Sequence, residues 1–449
     1  MISKLYNYWQ ILKGNLWFVP AVFCVIFLGV TAAFYSIEVH YFQNYDYPKF
    51  FFHGTTDDAK SVTITLLSAM ITMATLAISI TMVVLSLAAS QLGPRLIKTF
   101  MADRRTKDFI GLFFGTVMAC FVLTVILHSH ATQTATPQMT ISAVFSLCLI
   151  NLFVLLGFVH HVAQASIADN IILKVSTDLK SALNRLTTDI VKHRYDKPEE
   201  SSAWPDDFDT KSHHIIFAQS GYVQNINYDR IMEVACKENL LIQITFKAGH
   251  FLVKGEDGVR IYAQANGNTE GSSNDNIDDA QNKIRAAFII GDQRTATQDI
   301  EYPIRHLVEI AIRALSPGIN DSFTAMNVLD HLSAALAVLC EKETPEEAFY
   351  DDNGTRRMQA KQSDDSDIVH SALDQIRFNG RAMPSVTRHF LKKLQILATL
   401  AKDDTMKSAL KRQLTAILHD LKQTDTYIPE REDLQKQTKE LIEELSKTN

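Results

Sequence analysis

Charge is absent from four stretches of the first 165 residues: positions 16–37, 62–89, 109–127 and 139–162 contain no Lys, Arg, Asp or Glu. Each approaches or exceeds the ~20 apolar residues that a helix needs to cross a hydrocarbon core of about 30 Å. Buried helices of a soluble protein would not follow one another four times without a charge, so these stretches read as membrane spans. The first is too long for a cleaved signal peptide and lacks a small-x-small cleavage site, so it reads as a retained span.

Catalytic and ligand signatures are missing as well. Five cysteines, Cys24, Cys120, Cys148, Cys236 and Cys340, are scattered without a CxxC spacing, so they signal neither a zinc site nor a redox pair and read as apolar fillers. No Walker sequence, nucleophile elbow, HExxH or paired-carboxylate arrangement occurs. The expectation is therefore a protein that is not an enzyme and holds no cofactor or metal. Histidine pairs such as His160 and His161 point in different directions from one helix and make a poor metal site. The absence of charge inside the spans disfavours an active pump. A formal net charge of −6 gives no ground to expect nucleic acid as a partner.

The basic residues that are present set an orientation. Lys4 and Lys13 precede span one, Arg95, Lys98, Arg104, Arg105 and Lys107 fill the loop between spans two and three, and Lys174, Lys180 and Arg185 follow span four. The loop before span two is acidic on balance, and residues 128–138 carry neither Lys nor Arg. Positive charge resists translocation, so both termini are expected in the cytoplasm.

The second span carries Ser61, Thr65, Ser68, Thr72, Thr75, Ser79, Ser86 and Ser90. Steps of three and four put these hydroxyls on one helix face. Two readings stay open: a seam that lets spans pack closely, or the wall of a water-filled path in an oligomer, where hydroxyls replace part of an ion's hydration shell. Gly93, Pro94 and Arg95 follow, and proline there is expected to kink or end the helix, as a hinge, a gate or an ordinary terminus.

The expected fold is mainly α: a four-helix transmembrane domain (1–165), a helical stalk (166–197), a linker (198–214), and a cytoplasmic α+β region. That region comprises a small β subdomain (215–263), a mobile polar loop (264–280) and a mainly helical domain (281–449), with a second disordered loop at about 341–366. The stalk rests on Ile172, Val175, Leu179, Ala182, Leu186 and Ile190 at heptad-like spacing, to be packed against a helix of the same or another subunit.

The sharpest soluble feature is Arg294-Thr-Ala-Thr-Gln298-Asp299, followed by Ser316-Pro317-Gly318-Ile319-Asn320-Asp321. Ser316 before Pro317, and Asp321 before Thr324, both look like helix starts. A capped helix–turn–helix accounts for them. So does a cytoplasmic binding turn, in which helix N-termini hold an anion or carboxylate, with Arg294 or Arg313 completing the site.

Taken together, residues 16–20 (Leu-Trp-Phe-Val-Pro), 79–95, Gly221-Tyr-Val, Arg294-Thr with Gln298-Asp299, and 307–321 (Leu-Val-Glu-Ile-Ala-Ile-Arg-Ala-Leu-Ser-Pro-Gly-Ile-Asn-Asp) resemble the domain of unknown function 2254 family of predicted bacterial membrane proteins. The resemblance covers about residues 5–340. It implies an inner-membrane location and makes the Ser316–Asp321 turn a family hallmark. It departs at Ser322, where the family pattern favours proline, which puts the rigidity of the turn in question.

Two functions are compatible with these features. One is a homo-oligomeric ion channel whose second spans meet around an axis. The other is a membrane-anchored sensor or scaffold that binds a ligand or protein through the turn. The expected partners are the lipid bilayer, further copies of the chain, and a small ion or anionic ligand.

Overall fold

The computed structural model describes residues 15–42, 48, 51–93, 101, 103–129, 136–165, 167–191, 204, 205, 207–264, 274–341, 347–423 and 428–447. The chain divides into two units, Met1–Ile171 and Ile172–Asn449.

The first unit holds helices α1 (Phe18–Tyr41), α2 (Thr56–Leu92), α3 (Arg104–Ser129) and α4 (Gln138–Ala165), each long and apolar enough to cross a membrane. α2 begins six residues before the expected span because a capping box starts it. The Thr55 Oγ1 accepts from the Asp58 N–H at 3.2 Å, and Asp58 Oδ2 accepts from the Thr55 N–H at 2.9 Å. An apolar-run criterion misses this polar first turn.

α3 is the most enclosed of the four, with half of its apolar window buried. Gly111 and Gly115 explain how α1 reaches it. A Cβ at either position would lie 2.8 or 2.9 Å from the ring of Phe23 or Phe27, and those two rings stack on each other. A small-xxx-small spacing lets the helices approach closely in an apolar medium, where packing replaces the hydrophobic effect. On its other side α3 meets α4, where Phe113 and Phe158 pack edge to face at 5.9 Å.

Several polar groups meet across this bundle. Asn151 of α4 is fully buried and donates from Nδ2 to Thr116 Oγ1 of α3 at 2.7 Å. Asp103 caps α3 by accepting from the Thr106 N–H at 3.0 Å, and it also pairs with His161 Nε2 at 2.8 Å. Burial acts to raise the Asp103 carboxyl, but the bonds from His161 and Thr106 hold it below the usual carboxylate range. Charge enters these helices outside the charge-free stretches, as at Glu38 of α1 and Lys107 of α3, both buried. α1 runs past position 37 and buries Glu38, whose carboxylate accepts from the Met139 and Thr140 N–H groups at 2.7 and 2.8 Å. An anion at a helix N-terminus satisfies two otherwise unpaired donors and meets the positive dipole end.

The helix expected to continue through span four into the stalk is instead two helices, α4 and α5 (Ala168–Val191). On α5, Ile172, Val175, Leu179 and Ala182 are buried as the spacing predicts. The side chains of Leu186 and Ile190 lie outside the described residues.

In the second unit a short helix α6 (Phe208–Lys211) and strand β1 (His213–Ile216) occupy the end of the expected linker, anchored by Phe208 against Trp204 and Tyr262. The remaining strands and their helix follow as β2 (Gly221–Ile226), α7 (Tyr228–Lys237), β3 (Leu240–Ile244), β4 (Phe251–Leu252) and β5 (Asp257–Ala263). Helix α8 (Asn274–Arg285) then falls partly in the expected mobile loop, and β6 (Phe288–Gly291) comes after it. Residues 265–273 of that loop lie outside the described residues.

Helices α9 (Glu301–Ala314) and α10 (Ser322–Cys340) precede strands β7 (Ala348–Tyr350) and β8 (Arg356–Ala360), and α11 (Asp365–Gly380), α12 (Pro384–Leu400), α13 (Asp404–Gln423) and α14 (Ile428–Lys447) finish the chain. The stretch expected to be disordered at 341–366 therefore contains two strands. They complete a five-stranded sheet of order β1-β5-β3-β8-β7, with β8 parallel to β3, while β4-β2-β6 form a second, antiparallel sheet. β8 escapes a hydropathy reading because only Met358 and Ala360 face the core, between Arg357 and Gln359.

The apolar face of α5 is covered from within the chain. Leu179 and Leu183 line an apolar gap with Ile304 of α9, Leu332, Ala335, Leu336 and Leu339 of α10, and Ile368 and Ala372 of α11. Ser176 Oγ lies 3.0 Å from His331 Nδ1 of α10. α10 is itself long and apolar enough to count as a fifth candidate span, though it is the least apolar of the five. Its Asp330 accepts from His389 and Lys393 of α12 at 2.6 and 2.7 Å.

Replacing Gly115 with Val forces α1 off α3. The expected outcome is a loss of about 1–3 kcal/mol, read as a lower thermal midpoint of the purified protein. An unchanged midpoint would mean that the helices do not meet at this glycine.

Candidate functional site

Two regions carry the candidate residues, one in each unit. On α2, a rotation of about 100° per residue puts Ser61, Thr65, Ser68, Thr72, Thr75, Ser79, Ser86 and Ser90 inside an arc of roughly 80°. All eight are exposed. The buried residues of the same helix, Ala59, Thr63, Met70, Ala74, Ala77 and Ala88, center about 180° away. The hydroxyl face is thus opposite the face with which α2 packs in its own bundle.

Several of these hydroxyls donate along their own helix. Thr65 donates to the Ser61 carbonyl at 2.9 Å, Thr72 to Ser68 at 3.0 Å, and Thr75 to Ile71 at 2.9 Å. A threonine that donates back to the preceding turn keeps its oxygen lone pairs outward as acceptors. Asp57 falls in the same arc one turn before Ser61, and its side chain is almost fully exposed. By contrast, the exposed faces of α1 (Val25, Ile26, Val30, Ile37) and α4 (Phe153, Leu156) are large and apolar. At the other end α2 stops at Leu92, and Gly93 adopts φ +118°, a conformation closed to most L-residues. Pro94 and Arg95 lie outside the described residues.

In the second unit the expected soluble site separates into two. Arg294, Gln298 and Asp299 sit before the first turn of α9, whereas Arg313 and Ser316–Asp321 sit at its far end. Fourteen residues of helix span roughly 20 Å, so Arg294 cannot complete a site at the turn.

The first cluster is a buried ion network. Arg294 Nε donates to Asp299 Oδ2 at 2.5 Å, and Asp299 is almost wholly enclosed. Glu301 takes Lys247 at 2.7 Å, and Lys247 also reaches Asp367 of α11 at 2.8 Å. Burial acts to lower the Lys247 ammonium, but hydrogen bonds and charge from Asp367 and Glu301 hold it above its usual range. Gln298 uses both ends of its amide on one backbone position, accepting from the Ile226 N–H at 2.8 Å and donating to the Ile226 carbonyl at 2.9 Å. It acts as an added strand residue on β2. Gly249, at φ +87°, passes over this network, and a Cβ there would overlap Asp299 Oδ2. Arg305 also lies 3.6 Å from Glu301, so the cluster, which ties the sheet region to the start of α9 and of α11, balances three cations against three anions.

The turn is a different object. Ser316 does not start a helix; its Oγ donates to the Arg313 carbonyl at 2.6 Å and closes the end of α9. The Asn320 and Asp321 N–H groups return to the Ser316 and Ala314 carbonyls at 2.8 Å, with Asn320 at φ +53°. Asparagine is one of the few L-residues that tolerates this conformation. Asp321 caps α10, accepting from the Thr324 N–H at 3.0 Å, and the Thr324 hydroxyl and N–H hold its carboxyl below the usual range. Ser322 is then the first helical residue, where proline would also fit, so the departure from the family pattern leaves the turn intact. Arg313 pairs with Glu309 at 3.5 Å on the same helix. Pro317, Gly318 and Asn320 are exposed, together with Ile319 and, at 80% exposure, Phe323.

Lys247, Gly249, Glu301 and Asp367 were not foreseen, because their meeting depends on tertiary placement across 120 residues. Among the described residues, no group of three or more His, Cys, Asp or Glu could hold a metal ion.

A bundle of long apolar helices joined in sequence to an α+β unit defines a predicted membrane protein. Residues 13–395 match the family described as "Predicted membrane protein (DUF2254)", and the chain belongs to that family. It is also 27% identical over 410 residues to uncharacterized proteins of Mycobacterium bovis and Mycobacterium tuberculosis, covering 91% of this chain and 76% of theirs. No solved structure matches the chain.

Asp299→Asn removes one partner of a buried ion pair and is expected to cost about 3–5 kcal/mol. Arg313→Ala, at a half-exposed helix pair, is expected to cost about 0.2–0.5 kcal/mol. Denaturation midpoints of the two variants compare them directly, and equal losses would contradict the structural role assigned to Arg294 and Asp299.

Proposed function

We propose that the protein is a subunit of a homo-oligomeric ion channel in the bacterial inner membrane, with α2 of each copy facing a shared axis. The observation that carries this reading is the orientation of the hydroxyl seam, exposed and opposite the packing face of its own helix. Hydroxyl oxygens are poor lipid-facing groups and good partial substitutes for ion hydration. Asp57 at one end of the seam would form a ring of carboxylates in such an assembly, which favours cations.

The reading takes α1–α4 as the spans and α10 as a helix of the cytoplasmic region, since α10 is the least apolar of the five candidates and bears the Asp330 ion pairs. Arg104, Arg105 and Lys107, with Arg95 and Lys98, support a cytoplasmic side for the α2–α3 connection and hence for both termini.

Two measurements test it. Thr72→Cys or Ser79→Cys should cross-link between copies in native membranes, whereas Ile26→Cys on α1 should not. Purified protein in planar bilayers should conduct, and Asp57→Asn should lower its cation conductance. Absence of both cross-links and conductance across the pH, voltage, tension and salt conditions tried would overturn the reading.

A second reading, a membrane-anchored sensor or scaffold, is favoured by the exposed Ile319 and Phe323 on a turn whose backbone is closed by its own hydrogen bonds. It requires that Asn320→Ala with Phe323→Ala abolish rescue of a deletion phenotype while membrane insertion is unchanged. Full rescue would remove it.

A further inference from the structure

We propose that Cys120 of α3 and Cys148 of α4 form an oxidative modification site, a facing dithiol that a membrane-soluble hydroperoxide converts to a disulfide between the two helices. Both are free thiols, both are buried, and their Sγ atoms are 3.6 Å apart. They belong to different helices, so the encounter is a product of packing and not of sequence spacing.

The neighbouring contacts hold this register. The Thr116–Asn151 bond lies one turn away on both helices, and the Phe113–Phe158 contact lies beyond it. A disulfide requires the sulfurs to close to about 2.05 Å, an approach of roughly 1.5 Å that side-chain rotation and a small helix shift can supply. The surroundings decide the oxidant. Phe113, Leu123, Val144 and Phe158 belong to the same buried cluster, so a reagent must partition into hydrocarbon to arrive.

A lipid-type hydroperoxide satisfies that requirement and balances the reaction. One thiol sulfur attacks the terminal peroxide oxygen: an S–O bond forms, the O–O bond breaks, and the thiol proton passes to the departing alkoxide as an alcohol. The second sulfur then attacks the sulfenic sulfur. An S–S bond forms, the S–O bond breaks, and hydroxyl leaves with the second thiol proton as water. Two thiols lose two electrons in all, and the hydroperoxide is reduced to alcohol and water. Asn151 contributes an acceptor for the intermediate, because its Oδ1 is buried and has no hydrogen-bond partner among the described residues. It lies one turn from Cys148 on the same helix.

The test uses the full chain in lipid nanodiscs treated with cumene hydroperoxide, then unfolded, alkylated and peptide-mapped. The expected product is a single peptide pair joined through Cys120 and Cys148, lighter by two hydrogens and resolved by reductant, while Cys120→Ser leaves Cys148 open to alkylation. Mapping of the unsubstituted chain does not depend on that variant folding. If exposed Cys236 is oxidised while Cys120 and Cys148 both remain alkylatable, the proposal is overturned. It also falls if the two appear as separate sulfinic acids or as cross-links between copies.

Discussion

Hydrocarbon supplies no hydrogen bonds, and that constraint organises the first unit. Every backbone donor and acceptor inside it must be paired within the protein, which restricts the spans to helices and makes their ends the difficult places. The Glu38 carboxylate answers that difficulty for α4, taking two N–H groups of its first turn. Asp58 and Asp103 do the same for α2 and α3. Inside the bundle, Asn151 bonds to Thr116, and Thr63 and Thr116 donate to carbonyls one turn back. These inward polar groups meet partners, so the polar groups turned outward on α2 need a separate explanation.

A different device stabilises the second unit. Six charged groups, Lys247, Arg294, Asp299, Glu301, Arg305 and Asp367, meet where the sheet region joins the starts of α9 and α11. Replacing such a network with apolar residues is often neutral or stabilising, so its value lies less in net energy than in geometry. It admits one arrangement, with Gly249 passing where no side chain fits and Gln298 aligned on Ile226. This explains why Arg294, Gln298 and Asp299 stand out in the sequence without belonging to a ligand site on the turn.

Legibility followed the physical range of each interaction. Hydropathy is a local property, so the four long apolar helices and the buried positions Ile172, Val175, Leu179 and Ala182 could be read directly. Helix ends were misjudged where a short polar turn extended an apolar run, as at Thr56 and at Glu38. Strand β8 was missed because its partner β3 lies about 115 residues earlier and its own apolar content is small, and the three-residue β7 pairs with β8. The hydroxyl positions of α2 were legible as a stripe; the direction of that stripe was not, since it depends on which face α3 and α4 occupy. For the same reason, cysteines 28 positions apart gave no sign that they would touch.

The direction of the stripe bears on what covers it. A helix that faces lipid is expected to look like the outer sides of α1 and α4, where Val25, Ile26, Phe153 and Leu156 are exposed. α2 presents such residues too, among them Ile64, Ile71 and Leu76, but they flank the hydroxyl arc. An apolar border around a polar center is the pattern on which the proposed self-association of α2 rests. A seam buried in direct helix contact would need only small size. Threonine at 65, 72 and 75, with donors turned back and acceptors left outward, supplies oxygen ligands as well.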